Sequence, residues 1–270
     1  MNLTALVESW PVGSASVAVI TRDGGVVDVI GDEAASYRWA SVTKIASALT
    51  VLDGCLEGVV DLKDAVGPEG ATLRHLFSHA SGLSMDSDDT LAPVGDRRIY
   101  SNRGIDLAAE HLAAATGRPF VEELGERVLE LLDMDATRLD GPPAHGMVGT
   151  IGDLAALASE LLSPRLLMPE AVRLASTVAF PGLVGVLPGY GAQRPNDWGL
   201  GCEIRAEKSP HWTSSDNSPK TFGHFGQSGS FLWVDPEAGL ACVSLSDTAF
   251  GTWAIEAWPP LSTAVLQQYA

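Results

Sequence analysis

The sequence predicts an α+β fold. Both ends of the chain build one antiparallel sheet, helices flank it, and a mainly helical stretch is inserted between its halves. Three observations carry this. Apolar, β-branched runs lie in the first thirty residues and return only after residue 199. Between them, apolar residues recur at spacings of three and four. No linker is long enough to part the 270 residues into independent units. A single domain over 1–270 is therefore expected, with 1–58 and 199–270 as its sheet portion and 59–198 as its helical portion.

The elements follow in order. Residues 2–8 suit a short amphipathic helix. Residues 14–21 and 26–30 read as strands, and Arg22-Asp23-Gly24-Gly25 between them is a hairpin turn, because glycine accepts positive φ. From Ser41, the residues Val42, Ile45, Ala46, Leu49, Leu52 and Leu56 share one helical face. Residues 61–66 and 72–78 read as short helical pieces, and 81–98 as a polar surface loop. Helices are expected over 106–116, 120–132, 152–162 and 169–176, punctuated by Gly117, Pro119 and Pro164. Residues 180–197, rich in Gly and Pro, read as irregular. Strands return at 199–206, 229–234 and 240–246, the last two joined by a turn at 235–239. Residues 259–270 can close the chain as a helix with proline in its first turn.

Composition narrows the partners. Acidic residues number 34 against 17 Lys and Arg, a formal net charge of −17. Such a surface repels nucleic acid and anionic lipid, so neither is expected as a partner. No apolar run is long enough to span a bilayer. The first eleven residues lack a basic segment followed by an apolar one, so no export signal is read. Cys55, Cys202 and Cys242 are odd in number and form no Cys-x-x-Cys pair. Buried free thiols and a cytoplasmic location are the expectation.

Three short motifs carry chemistry. Ser41-Val42-Thr43-Lys44 puts a hydroxyl and an amine one helical turn apart. Serine is a weak nucleophile that needs a base, and lysine can serve if burial and neighbouring positive charge lower its pKa. Free N–H groups at a helix start can stabilise an oxyanion. Serine is equally a common helix N-cap, so the pair alone is weak. Tyr100-Ser101-Asn102 follows the polar loop. A phenol beside an ammonium gives up its proton more readily, so Tyr100 can shuttle protons, while Asn102 is either a polar ligand or a helix cap. In Phe222-Gly223-His224-Phe225-Gly226-Gln227-Ser228-Gly229 the glycines allow close backbone approach, and His224 offers a donor or is a surface histidine on a strand edge.

In this order, Ser-x-x-Lys, Tyr-x-Asn and His-x-Gly resemble the serine β-lactamase and penicillin-binding-protein-like superfamily, on its class C β-lactamase and esterase branch. Residues 73–83 look like the family's Leu-Leu-x-His-x-Ser-Gly-Leu segment, Tyr100-Ser101-Asn102-Arg103-Gly104 like its Tyr-Ser-Asn-x-Gly, and Gly149-Thr150-Ile151-Gly152-Asp153-Leu154-Ala155 like its Ser-Thr-x-x-Asp-Leu-Ala. The likeness runs roughly from residue 14 to 246. It implies a β-lactamase/transpeptidase-like fold, no cofactor, and a small-molecule or short-peptide substrate. It also implies that Ser41 is acylated, Lys44 and Tyr100 act as the acid–base pair, and Asn102 holds the substrate. The oxyanion would lie at the N–H groups of Ser41 and of Gln227, which follows His224-Phe225-Gly226. The sequence departs from the family where His224 replaces a lysine, removing a permanent cation for a β-lactam carboxylate.

The remaining signals are bland. His75 and His79 share a helical spacing, but Leu76 stands where a zinc protease needs glutamate. Asp86, Asp88 and Asp89 lack the glycine and terminal glutamate of a calcium loop and read as solvated. The expected function is a serine hydrolase forming an acyl-enzyme with an amide or ester: esterase, β-lactamase or D-amino peptidase. The alternative is a non-catalytic member of the same fold that binds a ligand or partner.

Overall fold

The computed structural model describes residues 2–23 and 25–270. After a helix α1 (Leu3–Glu8), capped by the Asn2 side chain, come the strands β1 (Ala15–Thr21) and β2 (Gly25–Ile30). Gly24 of the expected hairpin turn lies outside the described residues. Then follow β3 (Tyr37–Arg38), α2 (Thr43–Leu56), α3 (Leu73–Phe77), α4 (Asn102–Thr116) and α5 (Phe120–Leu124). The middle continues with β4 (Arg138–Leu139), β5 (Met147–Gly149), α6 (Ile151–Leu162), α7 (Pro169–Ser176) and a ribbon of β6 (Gly185–Leu187) and β7 (Gly191–Gln193). The chain ends with β8 (Glu203–Ile204), β9 (Phe222–Gly226), β10 (Ser230–Asp235), β11 (Leu240–Ser246) and α8 (Thr252–Tyr269).

The main sheet has the order β2-β1-β11-β10-β9-β8, and its neighbours pair antiparallel. Both chain ends therefore meet in its centre, where β1 pairs with β11 from Ala15 opposite Ser246 to Thr21 opposite Leu240. Successive side chains alternate between faces. Val17, Val19, Phe231, Trp233 and Cys242 pack under α1 and α8, while Ala18, Ile20, Leu232, Val234 and Val243 pack against α2, α6 and the helical half. A sheet covered on both faces explains why its strands are apolar throughout rather than every second residue.

Several elements differ from the sequence reading. Residues 61–66 form turns, and 199–206 shrinks to the two-residue β8. The expected helix 120–132 is α5 followed by a wider π turn over Gly125–Leu129. The small sheet β3-β5-β4 and the β6–β7 ribbon leave no periodic signal, because two or three residues are too few to show alternation. The last helix starts at Thr252, so Pro259 and Pro260 lie inside it. Cys202 and Cys242 are buried free thiols as expected, but Cys55 is only half-buried. Among the described residues, no helix is long and apolar enough to cross a membrane.

Candidate active site

Ser41 does not open the α-helix. It sits in a 3-10 turn, Ala40–Val42, that leads into α2. The turn begins at Ala40, whose φ of 45° is strained for a residue with a side chain. The β9–β10 hairpin clamps this turn in place. Ser230 Oγ donates to the Trp39 carbonyl and Ser228 Oγ to the Arg38 carbonyl, each at 2.7 Å. Gly226 makes the approach possible, since a Cβ there would stand 2.5 Å from the Trp39 carbonyl oxygen. Gln227 is thereby held across the cavity from Ser41.

Lys44, one turn into the chain from Ser41, is fully buried. Its Nζ lies 3.1 Å from Ser41 Oγ, 2.7 Å from Asn102 Oδ1 and 2.9 Å from the Ala144 carbonyl. Burial lowers its pKa to about 7, although Asp106 and Asp86 pull the other way. No neighbouring positive charge is needed, contrary to the sequence reading. Asn102 Oδ1 and the Ala144 carbonyl can only accept. When Lys44 is neutral, they take its two hydrogens and its lone pair is left for the Ser41 hydroxyl. Ala144 is itself held by Asp106, whose Oδ1 accepts from the Ala144 N–H at 2.9 Å.

Asn102 is not the helix cap. Ser101 caps α4 by accepting from the Gly104 N–H, which leaves the Asn102 amide free for the site. Its Nδ2 donates to Asp86 Oδ1 at 2.7 Å, which fixes the amide so that the oxygen faces Lys44. The expected hold on a substrate is thus shared with a hold on the lysine. Asp86 is an exposed loop residue, as read, and from the 81–98 loop its carboxylate also reaches Asn102. No local pattern announces that contact. Asp106 was legible in principle, because it lies four residues after Asn102 on the same helical face.

Tyr100 packs its ring 4.6 Å from His79 and 5.7 Å from His224, with the Lys44 amine 4.8 Å from its centroid. Its hydroxyl bonds Ser41, and burial pushes its pKa up, not down as the sequence reading expected. The reason is that burial penalises the phenolate, and the Asp86 carboxylate adds to the rise while the Ser41 hydrogen bond opposes it. His224 is buried on β9 rather than exposed at an edge. Its Nδ1 is 2.6 Å from the Phe225 carbonyl, which can only accept, so Nδ1 carries the hydrogen. Nε2 then accepts from the Tyr100 hydroxyl at 3.3 Å. Burial lowers the His224 pKa to about 3, so it stays neutral near pH 7.

Ser41, Tyr100, Asn102, His224 and Gln227 line one cavity of about 80 Å³, closed by Met85, Leu187, Pro188, Trp198 and Phe225. Its one charged wall residue, Glu203, is saturated by Lys208 Nζ, His211 Nε2 and Trp212 Nε1. All the expected site residues therefore converge, with Lys44 behind Ser41 and Gly226 behind Gln227. His75 and His79 do not make a metal pair. His75 Nδ1 bonds Thr72 Oγ1, and His79 Nδ1 accepts from the Ser101 N–H.

A family model described as beta-lactamase matches residues 4–261. The chain belongs to the beta-lactamase family. Among solved structures it is similar to a beta-lactamase from Mycobacterium bovis, with 50% identity, a TM-score of 0.96 and 99% of each chain covered. It is also similar to unliganded simvastatin synthase (LovD) from Aspergillus terreus, with 17% identity, a TM-score of 0.80, and 99% of this chain and 96% of that one covered. At so low an identity the second likeness speaks for the fold alone. No curated protein matches the chain. The family points to an enzyme of the serine-hydrolase type.

In this member of the beta-lactamase family one buried cation serves architecture. Arg98 donates to the carbonyls of Ser78 at 2.7 Å, Asn196 at 3.1 Å and Phe180 at 2.9 Å, and to that of Ala179. It ties the segment before Tyr100 to the irregular 180–197 stretch. Arg98→Met leaves these carbonyls without a donor. We expect a loss of about 3 kcal/mol, read as a fall in Tm of roughly 6–12 °C. An unchanged melting curve would show that water replaces the guanidinium.

Proposed function

We propose that this protein is a serine hydrolase that is acylated on Ser41 by esters with a small, uncharged acyl group, using Lys44 as general base. The observation that carries this is the Lys44 amine, poised near neutrality and hydrogen-bonded to Ser41 Oγ at 3.1 Å. As the Ser41 oxygen attacks the ester carbonyl, its proton passes to Lys44. The oxyanion faces the backbone N–H groups of Ser41 and Gln227. The C–O bond to the alcohol then breaks, and the alkoxide takes the proton from the Lys44 ammonium. Water repeats the sequence in reverse and frees Ser41. Tyr100 lies beside Ser41 and is kept in place by the hydrogen bond it donates to His224 Nε2.

An ester is favoured over a β-lactam because the cavity wall presents no positive charge. His224 is neutral, and a lactam carboxylate would be buried without a partner. We expect 4-nitrophenyl butyrate to be cleaved with kcat/KM about tenfold or more above that for nitrocefin. Intact mass should show one butyryl group on wild type and none on Ser41→Ala. Faster nitrocefin turnover would reject the ester preference, and no adduct with any ester would reject the hydrolase reading.

The pH dependence follows from the lysine. The neutral amine is the active form, so activity is low below its pKa of about 7, rises through it and levels off above. His224 adds no second step in the neutral range, because its pKa is near 3. A bell-shaped profile centred on neutrality would contradict this assignment.

A further inference from the structure

The Ser41 cavity adjoins a larger groove of about 420 Å³, and Met85, Tyr100 and Pro188 line both. The groove's outer walls are Leu91 and Val186, which are 56% and 61% exposed, with Met85 at 48% between them and the cavity. An open apolar patch of this kind beside a reactive site marks a ligand surface. Its walls are preformed. The Met85 carbonyl accepts from the backbone N–H groups of Asn102 at 2.7 Å and Arg103 at 3.0 Å. The ribbon bearing Val186 is tied down where the Arg98 N–H donates to the Val184 carbonyl at 2.8 Å.

Arg97 also lines this groove. Its guanidinium donates to the Leu91 carbonyl at 3.3 Å and has no carboxylate in ion-pair range among the described residues. In a chain with twice as many acidic as basic residues, that leaves a cation over an apolar floor without a protein anion.

We propose that this groove holds the alcohol portion of the ester, an apolar ring or chain bearing a carboxylate that pairs with Arg97. The proposal rests on the reading of Ser41 as the acylated residue. The enclosed cavity admits a short acyl chain, so the bulkier alcohol lies in the open groove, from which it departs once Lys44 has protonated it. The carboxylate is thereby recognised at Arg97 and not at His224, where a β-lactam would place it.

The probes are 6-hydroxy-2-naphthoic acid, its methyl ester, and the butyrate esters of both. Fluorescence titration should show the acid binding wild type and Ser41→Ala alike, about fivefold more tightly than the methyl ester. The preference should shrink at high salt, fall to about one in Arg97→Gln and largely survive in Arg97→Lys. Lys220→Gln, which removes a surface cation outside both cavities, should leave it intact. Val186→Asp should weaken both ligands. Among the butyrate esters, kcat/KM should show the same acid-over-ester ratio. No binding of the acid, or a preference that persists in Arg97→Gln, overturns the proposal even if 4-nitrophenyl butyrate is hydrolysed. Intact naphthoate binding without any butyryl adduct on Ser41 instead overturns the hydrolase reading.

Discussion

Ser41→Ala is expected to lower kcat/KM for 4-nitrophenyl butyrate by about 10⁴-fold or more and to abolish the acyl adduct. The size follows from the absence of a substitute. Ser228 and Ser230 are the nearest hydroxyls on the hairpin, but both are engaged with the Arg38 and Trp39 carbonyls. The variant should fold normally, because Lys44 keeps Asn102 and Ala144 as partners. Circular dichroism and ligand binding check the fold, and intact mass after ester exposure checks the chemistry. A butyryl adduct retained at wild-type level would move the nucleophile elsewhere.

Lys44→Met should cost about 10²–10⁴-fold in the same assay. Methionine fills most of the buried volume but offers no lone pair to Ser41. The sharper readout is pH. The rise through about 7 expected in wild type belongs to this amine, so the residual rate of the variant should lose it. A variant that is slow yet keeps the same step would assign that ionisation to another group. Asp106 is the group to examine then, since burial also raises its pKa.

Much of the site was legible as a motif order, yet its electrostatics were not. The Ser-x-x-Lys spacing places two groups together whatever the rest of the chain does. The opposite outcome for Tyr100, a pKa raised and not lowered, shows the limit. Its state is set by burial, and that burial comes from side chains far apart in the chain, among them His79, Trp198 and His224. His224 tells the same story, because a histidine between glycines reads as exposed until Tyr100 and Trp198 cover it. Asp86 is a third case, since a run of aspartates in an exposed loop carries no mark of the one whose carboxylate holds Asn102.

The sequence by itself determined which segments alternate, which are helical, and that Ser41 and Lys44 are neighbours. These are local consequences of backbone period and of side chains three or four residues apart. Only the tertiary structure decided that the lysine is buried, with its pKa brought down to about 7. Its partners lie 58 and 100 residues further along the chain, at Asn102 and Ala144. Desolvation is imposed by whatever surrounds a group in space, and no window of sequence around Lys44 contains those surroundings.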